Sequence, residues 1–163
     1  MTPREAVGIY LVGRESAHVL AAVHRAAFVG AAIEPWSPSA IDLLLRVPGS
    51  VALLARFGVS DQAVGLGLAR VIADVGEVLT LGVVAHARHR GVGSSLLTGL
   101  LAAVTAIGAH RVFLEVAVCN LAALDLYRRH GFATVCRQPG YYGNRKGRVS
   151  DAIVLNRSLR SET

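Results

Sequence analysis

The stretch EVLTLGVV-AHARHRGVG-SSLLTGLLAAVTAI, residues 77–107, decides the fold of this chain. Residues 77–84 are nearly all apolar and predict a strand at the centre of a sheet. Residues 94–107 place their large apolar side chains on one stripe, which predicts a helix packed against that sheet. The residues between them form a basic loop with two glycines. A strand, a glycine-bearing loop and a core helix in this order begin a strand–helix–strand unit.

The loop RHRGVG, residues 88–93, is the strongest candidate for a binding site. Glycine lets the backbone come close to a ligand, and the N–H groups at the start of a helix face an anion such as a pyrophosphate. Arg88 and Arg90 add positive charge. A glycine turn before a helix is often no more than a turn, so both interpretations stay open at this point. The loop matches neither the phosphate-binding loop of nucleoside triphosphatases nor the dinucleotide-binding glycine fingerprint.

Further strands and helices are predicted on both sides of this unit. Apolar and alternating runs predict strands over residues 7–12, 51–57, 63–73, 111–119, 132–137 and 152–159. Helical spacing and capping residues, with Ser16 as the cap of the first helix, predict helices over residues 17–28, 40–46 and 121–129. The order predicts a mixed α+β fold with an antiparallel beginning followed by the strand–loop–helix–strand unit. No linker interrupts the chain, so we expect one domain over residues 1–163.

The chain is both apolar and basic. Apolar residues make up 53% of the sequence and charged residues 17%, a composition that excludes an intrinsically disordered chain. The net charge of +6 indicates an anionic partner. The arginines are scattered, and only residues 137–148 are locally dense, whereas a nucleic-acid surface is expected to be clustered. We therefore expect a phosphate-bearing cofactor and no stable nucleic-acid partner.

Neither the cysteines nor the histidines form a ligand pattern. Cys119 and Cys136 have no paired spacing, which predicts two reduced thiols packed in the core. The histidines are spread along the chain from His18 to His130, so no metal is implied.

The uncharged run at residues 91–109 is long enough to span a bilayer. Its large apolar residues fall on one stripe and its other side is small or polar, which favours a core helix over a lipid-facing one. The first residues of the chain lack the apolar region of a signal peptide. We therefore expect a cytoplasmic protein without a membrane partner.

Glu115 is the only charged residue within the apolar run at residues 112–118. Strand alternation puts it on the face opposite Leu114 and Val116. At an open edge of the sheet it would pair with an arginine, and in a cleft it would be placed to act as a general base.

Several other side chains have both a structural and a functional interpretation. A tyrosine such as Tyr127, in the last predicted helix, packs more often than it catalyses. Asn120 has a sufficient role as the cap of that helix. Trp36, Tyr141 and Tyr142 lie in predicted loops, where aromatic side chains either contact a substrate or cover the core.

Taken together, these segments resemble the GNAT (GCN5-related N-acetyltransferase) superfamily. Its signature is Arg/Gln-x-x-Gly-x-Gly/Ala at the start of a helix after a central strand, and residues 88–93 match it in full. The resemblance continues through residues 114–116, 120–123 and 126–132 and covers about residues 77–159. Within the superfamily the chain is most similar to the ribosomal-protein alanine N-acetyltransferases. The resemblance implies the GNAT fold, a central mixed sheet of about six to seven strands flanked by about four helices.

The resemblance also implies a reaction, in which acetyl-CoA is the co-substrate and the acetyl group passes directly to an amine in a ternary complex. It implies Glu115 as the general base and Tyr127 as the general acid. Cofactor contacts are implied for Leu81, Gly82, Val83, Arg88, His89, Arg90, Gly91, Val92, Gly93, Ser94 and Asn120. Trp36, Tyr141 and Tyr142 would contact the acceptor.

The acceptor implied by the resemblance is a protein N-terminal amine, such as that of a ribosomal protein. A small amine (a polyamine, an antibiotic or an amino acid) is an alternative on the same fold, and a non-catalytic module that binds coenzyme A or nucleic acid is a third. The chain departs from the family at residues 85–87 and in the basic segment 140–148. A basic acceptor would be repelled unless Glu34, Glu115 and Asp151 gather at the acceptor site. A monomer and a homodimer are both compatible with the sequence.

Overall fold

A strand and two helices are followed by three strands, a helix, a strand, a helix and two strands in the computed structural model. The structure describes residues 5–31, 33–143 and 149–160 and, at residues 141–143 and 149, the backbone alone. The strands are β1 Val7–Val12, β2 Ser50–Phe57, β3 Ala63–Ile72, β4 Val75–Val83, β5 Arg111–Ala117, β6 Ala133–Gly143 and β7 Val149–Ser158. The α-helices are α1 Ala17–Ala27, α2 Pro38–Arg46, α3 Val92–Ile107 and α4 Leu121–Arg129. The predicted α+β fold is confirmed.

The strands form one mixed sheet in the order β1-β2-β3-β4-β5-β7-β6. Neighbouring strands are antiparallel except β4 and β5, which run parallel and are connected through α3. A parallel pair needs a crossover connection, and the core helix supplies it. The strand that the sequence predicts to be central is β4, and it lies in the middle of the sheet.

Glycines in the sheet let the helices lie close to it. A side chain at Gly65 would meet Leu96 of α3 at 2.9 Å, and a side chain at Gly67 would meet Leu100 at 2.8 Å. Both leucines are fully buried, and burial of each contributes about 1.5–3 kcal/mol. On the opposite face of the sheet, a side chain at Gly82 would meet the end of α1 at 2.9 Å. The sheet therefore has α3 on one face and α1 on the other.

Strand β6 is longer than the sequence predicts. The prediction covers residues 132–137, whereas β6 continues through the expected loop to Gly143. Its register with β7 shifts between Gln138 and Tyr142. Pro139 lies within this shift, and a proline inside a strand pattern indicates an edge or a bulge rather than continuous pairing. Because of this irregularity, the second half of β6 lacks the regular alternation by which a strand is recognised in the sequence.

The predicted burial of the two cysteines is wrong. Cys119 and Cys136 are free thiols, and both are exposed. Cys136 lies on β6, the edge strand of the sheet, and Cys119 lies in the turn after β5, with its Sγ 3.7 Å from Ser150 Oγ. An edge strand and a turn both present side chains to solvent, so position in the fold outweighs the usual preference of cysteine for the core.

The uncharged run at residues 91–109 is the core helix α3, which ends at the left-handed Gly108. In the described part of the chain, no helix is long and apolar enough to cross a membrane. The first helix, α1, follows Ser16, whose side chain forms no capping hydrogen bond. The predicted cap of α1 is therefore wrong.

Candidate active site

β4 and β5 are paired only over their first residues and then separate. The parallel register joins residues 75–78 of β4 to residues 111–114 of β5. Beyond this point β4 stays paired with β3, and β5 stays paired with β7. On the side that faces β5, residues 79–83 therefore have no strand partner among the described residues. A free strand edge of this kind accepts an extended ligand in place of a strand.

A cleft of about 990 Å³ opens at this separation. Its walls are the end of α1, the second half of β4, the glycine loop with the start of α3, and α4. The predicted site residues that line it are Leu81, Gly82, Val83, Arg88, His89, Gly91, Val92, Gly93, Ser94, Asn120 and Tyr127. Within the described ranges, no group of three or more His, Cys, Asp or Glu side chains is placed to hold a metal ion.

Gly91 shapes the loop at the start of α3. Its backbone is left-handed, with a φ of 84°, and His89, two residues earlier, is also left-handed with a φ of 59°. A side chain at Gly91 would meet no protein atom within 4 Å, so the space beside it is open. The first N–H groups of α3 have no partner within the helix and form its positive end. The start of α3 is therefore suited to an anion in the cleft.

The two arginines of the loop have different surroundings. Arg88 lines the cleft and donates to the backbone carbonyls of Val83 at 3.1 Å and of Ala27 at 2.8 Å. It therefore ties the end of β4 to the end of α1. Arg90 instead lies over the Phe57 ring, 3.8 Å from its centroid, and 3.7 Å from Glu5. The structure does not bring Arg90 into the cleft.

Glu115 is the first residue of β5 beyond the separation. It is exposed, while Leu114 and Val116 on the other face are buried, as alternation predicts. No ion pair holds its carboxylate in the part of the chain that the structure describes. Glu115 does not line the cleft. It stands on the more exposed face of β5, at the base of the separation.

α4 forms the wall of the cleft opposite β4. Asn120 caps this helix as predicted, with its side-chain oxygen accepting the Ala123 N–H at 3.2 Å. Tyr127 is only 7% exposed, and its ring meets Phe132 edge-on at a centroid distance of 5.8 Å. Both Asn120 and Tyr127 also line the cleft. The capping contact of Asn120 and the ring contact of Tyr127 therefore hold both side chains in place at the wall of the cleft.

Trp36 packs on α1 and does not line the cleft. Its ring stacks on His24 with the centroids 5.0 Å apart, and its backbone N–H donates to His24 Nδ1 at 3.4 Å. Trp36 is half-buried, and its contact with an acceptor stays a prediction. The side chains of Tyr141 and Tyr142, also predicted to contact the acceptor, lie outside the described residues.

We expect acid to destabilise the protein through His24. Burial lowers the pKa of this histidine below its ordinary value, so the folded state favours the neutral ring. The stabilisation is present above the unfolded pKa of about 6.5 and is lost as the pH falls below it. Thermal unfolding followed by fluorescence of Trp36, the only tryptophan, should show a Tm that decreases with acidification. His24→Phe should reduce this decrease, and an equal decrease in both proteins would contradict the assignment.

Two features of the site carry no recognisable sequence signal. Residues 27–31, which the sequence predicts as a helix end and a connection, form one wall of the cleft. His130 at the end of α4 places its Nε2 3.1 Å from Ser94 Oγ at the start of α3. A histidine in the last turn of a helix has ordinary capping roles, and only the tertiary fold brings these two residues together.

Comparison with known proteins agrees with this geometry. The sequence matches the acetyltransferase (GNAT) family over residues 18–132. It is 36% identical to the N-alpha-acetyltransferase RimI of Mycobacterium tuberculosis, over 94% of this chain and 93% of that protein. It is 33% identical to N-alpha-acetyltransferase 50 of Danio rerio, over 69% of this chain and 68% of that protein.

The fold is shared with a solved structure. The crystal structure of the ribosomal-protein-S18-alanine N-acetyltransferase from Escherichia coli superposes with a TM-score of 0.82 at 20% identity. The superposition covers 97% of this chain and 98% of that one. Since the family match extends over most of the sequence and the strand separation and glycine loop lie within it, the chain belongs to the GNAT family of acetyltransferases.

Proposed function

We propose that this protein transfers the acetyl group of acetyl-CoA to the N-terminal amine of a protein. As a member of the GNAT family it is an acetyl-CoA-dependent N-acetyltransferase. The observation that carries the proposal is the cleft where the free edge of β4 meets the start of α3, because it suits a ligand with an extended arm and an anionic end. Both sequence relatives described above are N-alpha-acetyltransferases, which supports an N-terminal amine as the acceptor.

The residues of the cleft fit the parts of acetyl-CoA. The pyrophosphate would lie in the open space beside Gly91, on the N–H groups of residues 92–94. The pantetheine arm would run along residues 81–83 with hydrogen bonds like those of an added strand, and Asn120 would contact it from α4. A backbone N–H of the same part of β4 would polarise the thioester carbonyl.

Gly91→Ala should weaken coenzyme A binding about ten- to a hundred-fold, because the added Cβ enters the space assigned to the pyrophosphate. This factor corresponds to the loss of about 1.5–3 kcal/mol from hydrogen bonds to a charged group. The φ of 84° at Gly91 adds strain, since side chains rarely adopt this conformation. Isothermal titration of coenzyme A into wild type and variant measures the change.

Gly108→Ala is the matched control for this substitution. Gly108 lies at the other end of α3, has a φ of 115° and likewise has no atom within 4 Å of an added Cβ. The control should lower Tm through backbone strain and leave coenzyme A affinity unchanged. If Gly91→Ala binds coenzyme A with wild-type affinity, or if Gly108→Ala loses as much affinity, the assignment of the pyrophosphate to the loop is contradicted.

An acceptor that arrives as an ammonium group loses two protons in becoming an amide, the departing sulfur takes up one, and the other passes to solvent. The amine nitrogen bonds to the thioester carbon while the carbon–sulfur bond breaks, which yields an amide and coenzyme A. Glu115, through a water, would take the proton of the ammonium group before attack, and the Tyr127 hydroxyl would protonate the thiolate. In this assignment Glu115 would act from the exposed face of β5 and Tyr127 from the wall of the cleft.

The charges of the protein favour a small amine as a second candidate for the acceptor. Asp151 accepts a hydrogen bond from the Gly140 N–H at 2.9 Å and forms an ion pair with Arg137. These contacts hold the pKa of its carboxyl group below the usual range. Its charge is already partnered, so it adds little to an acidic acceptor site. The net charge of +6 repels a basic peptide at long range. A small amine meets less of this repulsion.

Thiol release from acetyl-CoA separates the candidate acceptors. One reaction contains a peptide that begins Ala-Arg, as in the ribosomal-protein hypothesis, and its control contains the same peptide with an acetylated N-terminus. Parallel reactions contain a polyamine, an aminoglycoside or free amino acids. We expect release only with the free N-terminus. Turnover with the small amines alone would transfer the proposal to that class, and release with no acceptor would favour the non-catalytic module.

A further inference from the structure

We infer that His130 is a positioning residue of the cofactor site, whose protonation turns the Ser94 hydroxyl toward the pyrophosphate. The inference rests on the proposed function, because Ser94 lies at the start of α3 on the wall of the acetyl-CoA cleft. His130 is half-buried at the end of α4, on the far side of Ser94, where it also lines a second groove. The two side chains thus link the helix that holds the phosphates to the helix that carries Tyr127.

The hydrogen bonds of the His130 ring determine where its protons lie. Nδ1 is 2.9 Å from the backbone oxygen of Leu126, and a carbonyl oxygen only accepts, so Nδ1 carries a hydrogen. In the neutral ring Nε2 is therefore an acceptor. The Ser94 hydroxyl, at 3.1 Å, donates to it and its hydrogen is directed away from the cleft. In the neutral state Ser94 is not a donor to a phosphate.

Protonation of the ring reverses this hydrogen bond. Nε2 then carries a hydrogen and donates to Ser94 Oγ, which leaves the hydroxyl hydrogen free to donate into the cleft. A phosphate oxygen at the start of α3 gains one donor from Ser94 and a nearby positive charge from His130. Because negative charge favours the protonated imidazole, binding of the pyrophosphate and uptake of a proton by His130 promote each other.

Other charged groups line the cleft beside Ser94 and the groove beside His130. They are Arg129, Asp125, Arg157, Arg160, Arg88 and His89. Arg129 and Asp125 form an ion pair with each other at 3.0 Å on α4. His89 is a second histidine beside the cleft, so the main comparison is between proteins that differ at residue 130 alone.

The linkage has a definite sign. The cofactor-bound protein favours the protonated ring, so coenzyme A affinity rises as the pH is lowered through the range in which imidazoles titrate, about pH 8 to 6. Coenzyme A binding near neutral pH therefore takes up a fraction of a proton. A coupling of ordinary size makes the affinity change roughly five-fold or more over this range.

Proton uptake is measured by titrating coenzyme A into the protein in two buffers with different ionisation enthalpies. His130→Gln is the main variant, because the glutamine amide reaches about as far as Nε2 and can bond to Ser94 but does not titrate. His130→Asn reaches only as far as Nδ1 and loses the contact with Ser94. His18→Gln, on the exposed side of α1, is the control for the loss of a histidine.

On binding coenzyme A, wild type and His18→Gln should take up the same fraction of a proton. His130→Gln should lose most of this proton uptake. The pH dependence of the KM for acetyl-CoA should weaken in His130→Gln. In His130→Asn and Ser94→Ala it should weaken as well, together with a several-fold loss of affinity near pH 6. Protonation of the coenzyme A phosphates is common to all five proteins and cancels in the difference.

Different outcomes overturn different statements. Equal proton uptake by wild type and His130→Gln, or no uptake by wild type, would overturn the role of His130 and leave the proposed function intact. A purely structural role of His130 would lower Tm or kcat without changing the proton count. Failure of wild type to bind coenzyme A at any pH would instead overturn the proposed function.

Discussion

Glu115→Gln should lower kcat about 10²- to 10⁴-fold at neutral pH, the contribution of a general base, while coenzyme A affinity stays within about two-fold. Glutamine has the shape of glutamate but does not take up a proton. The side chain is exposed and lies outside the cleft, so the substitution disturbs neither the core nor the cofactor contacts. Steady-state kinetics with acetyl-CoA and the peptide acceptor give kcat, and calorimetry with coenzyme A gives the affinity.

Glu77→Gln is the matched control for a carboxylate in the sheet. Glu77 lies on β4 where β4 and β5 are still paired, opposite Phe113, and its carboxylate is 2.7 Å from Arg70. Its removal should leave kcat unchanged. The defect of Glu115→Gln should also shrink above about pH 8, where an N-terminal amine loses its proton unaided. Normal turnover of Glu115→Gln at neutral pH would end its assignment as the base.

The fold was predictable because, over residues 77–107, the local sequence preferences agree with the tertiary packing. Its apolar strand is the central β4, Gly91 supplies the left-handed turn, and the stripe of leucines in α3 is fully buried against the sheet. Gly108 ends the same helix in the left-handed conformation. Local preference and tertiary packing agree here, so the pattern alone identifies the unit.

The separation of β4 and β5 could not be predicted in the same way. It depends on which residues of two distant strands form the last pair, Val78 and Leu114, and neither residue differs in type from its neighbours. The sequence places Glu115 in a strand and Leu79 in another. Only the three-dimensional register shows that these two residues are the first beyond the separation, which is what creates the cleft.

The charges of the loop illustrate a second limit of sequence patterns. Arg88 and Arg90 are equivalent as basic residues beside two glycines, yet Arg88 binds backbone carbonyls at the cleft and Arg90 stacks on Phe57. A guanidinium group serves equally well for a phosphate, a carbonyl oxygen or an aromatic face. Which of these it meets is decided by segments far away in the sequence.

Tyr127→Phe should lower kcat about 10²-fold or more, since phenylalanine keeps the ring and loses the hydroxyl that would protonate the thiolate. The edge-on contact with Phe132 is made by the ring, which the variant keeps, and thermal unfolding of the variant measures what the hydroxyl contributes to stability. The ring that lines the cleft also remains, so coenzyme A affinity should stay within about two-fold. The loss is therefore assigned to the chemical step, and single-turnover kinetics with saturating acetyl-CoA measure it directly.

Tyr10→Phe controls for the general loss of a tyrosine hydroxyl. Tyr10 lies on β1 at the opposite edge of the sheet, where it is exposed and packs on Arg56, and its variant should keep full activity. A kcat of Tyr127→Phe within two-fold of wild type would mean that the thiolate departs without a proton from Tyr127. Solvent would then be the remaining proton source, and Tyr127 would be only a packing residue of the cleft wall. Loss of kcat in Tyr127→Phe alone, with Tm and affinity preserved, would separate catalysis from packing at this position.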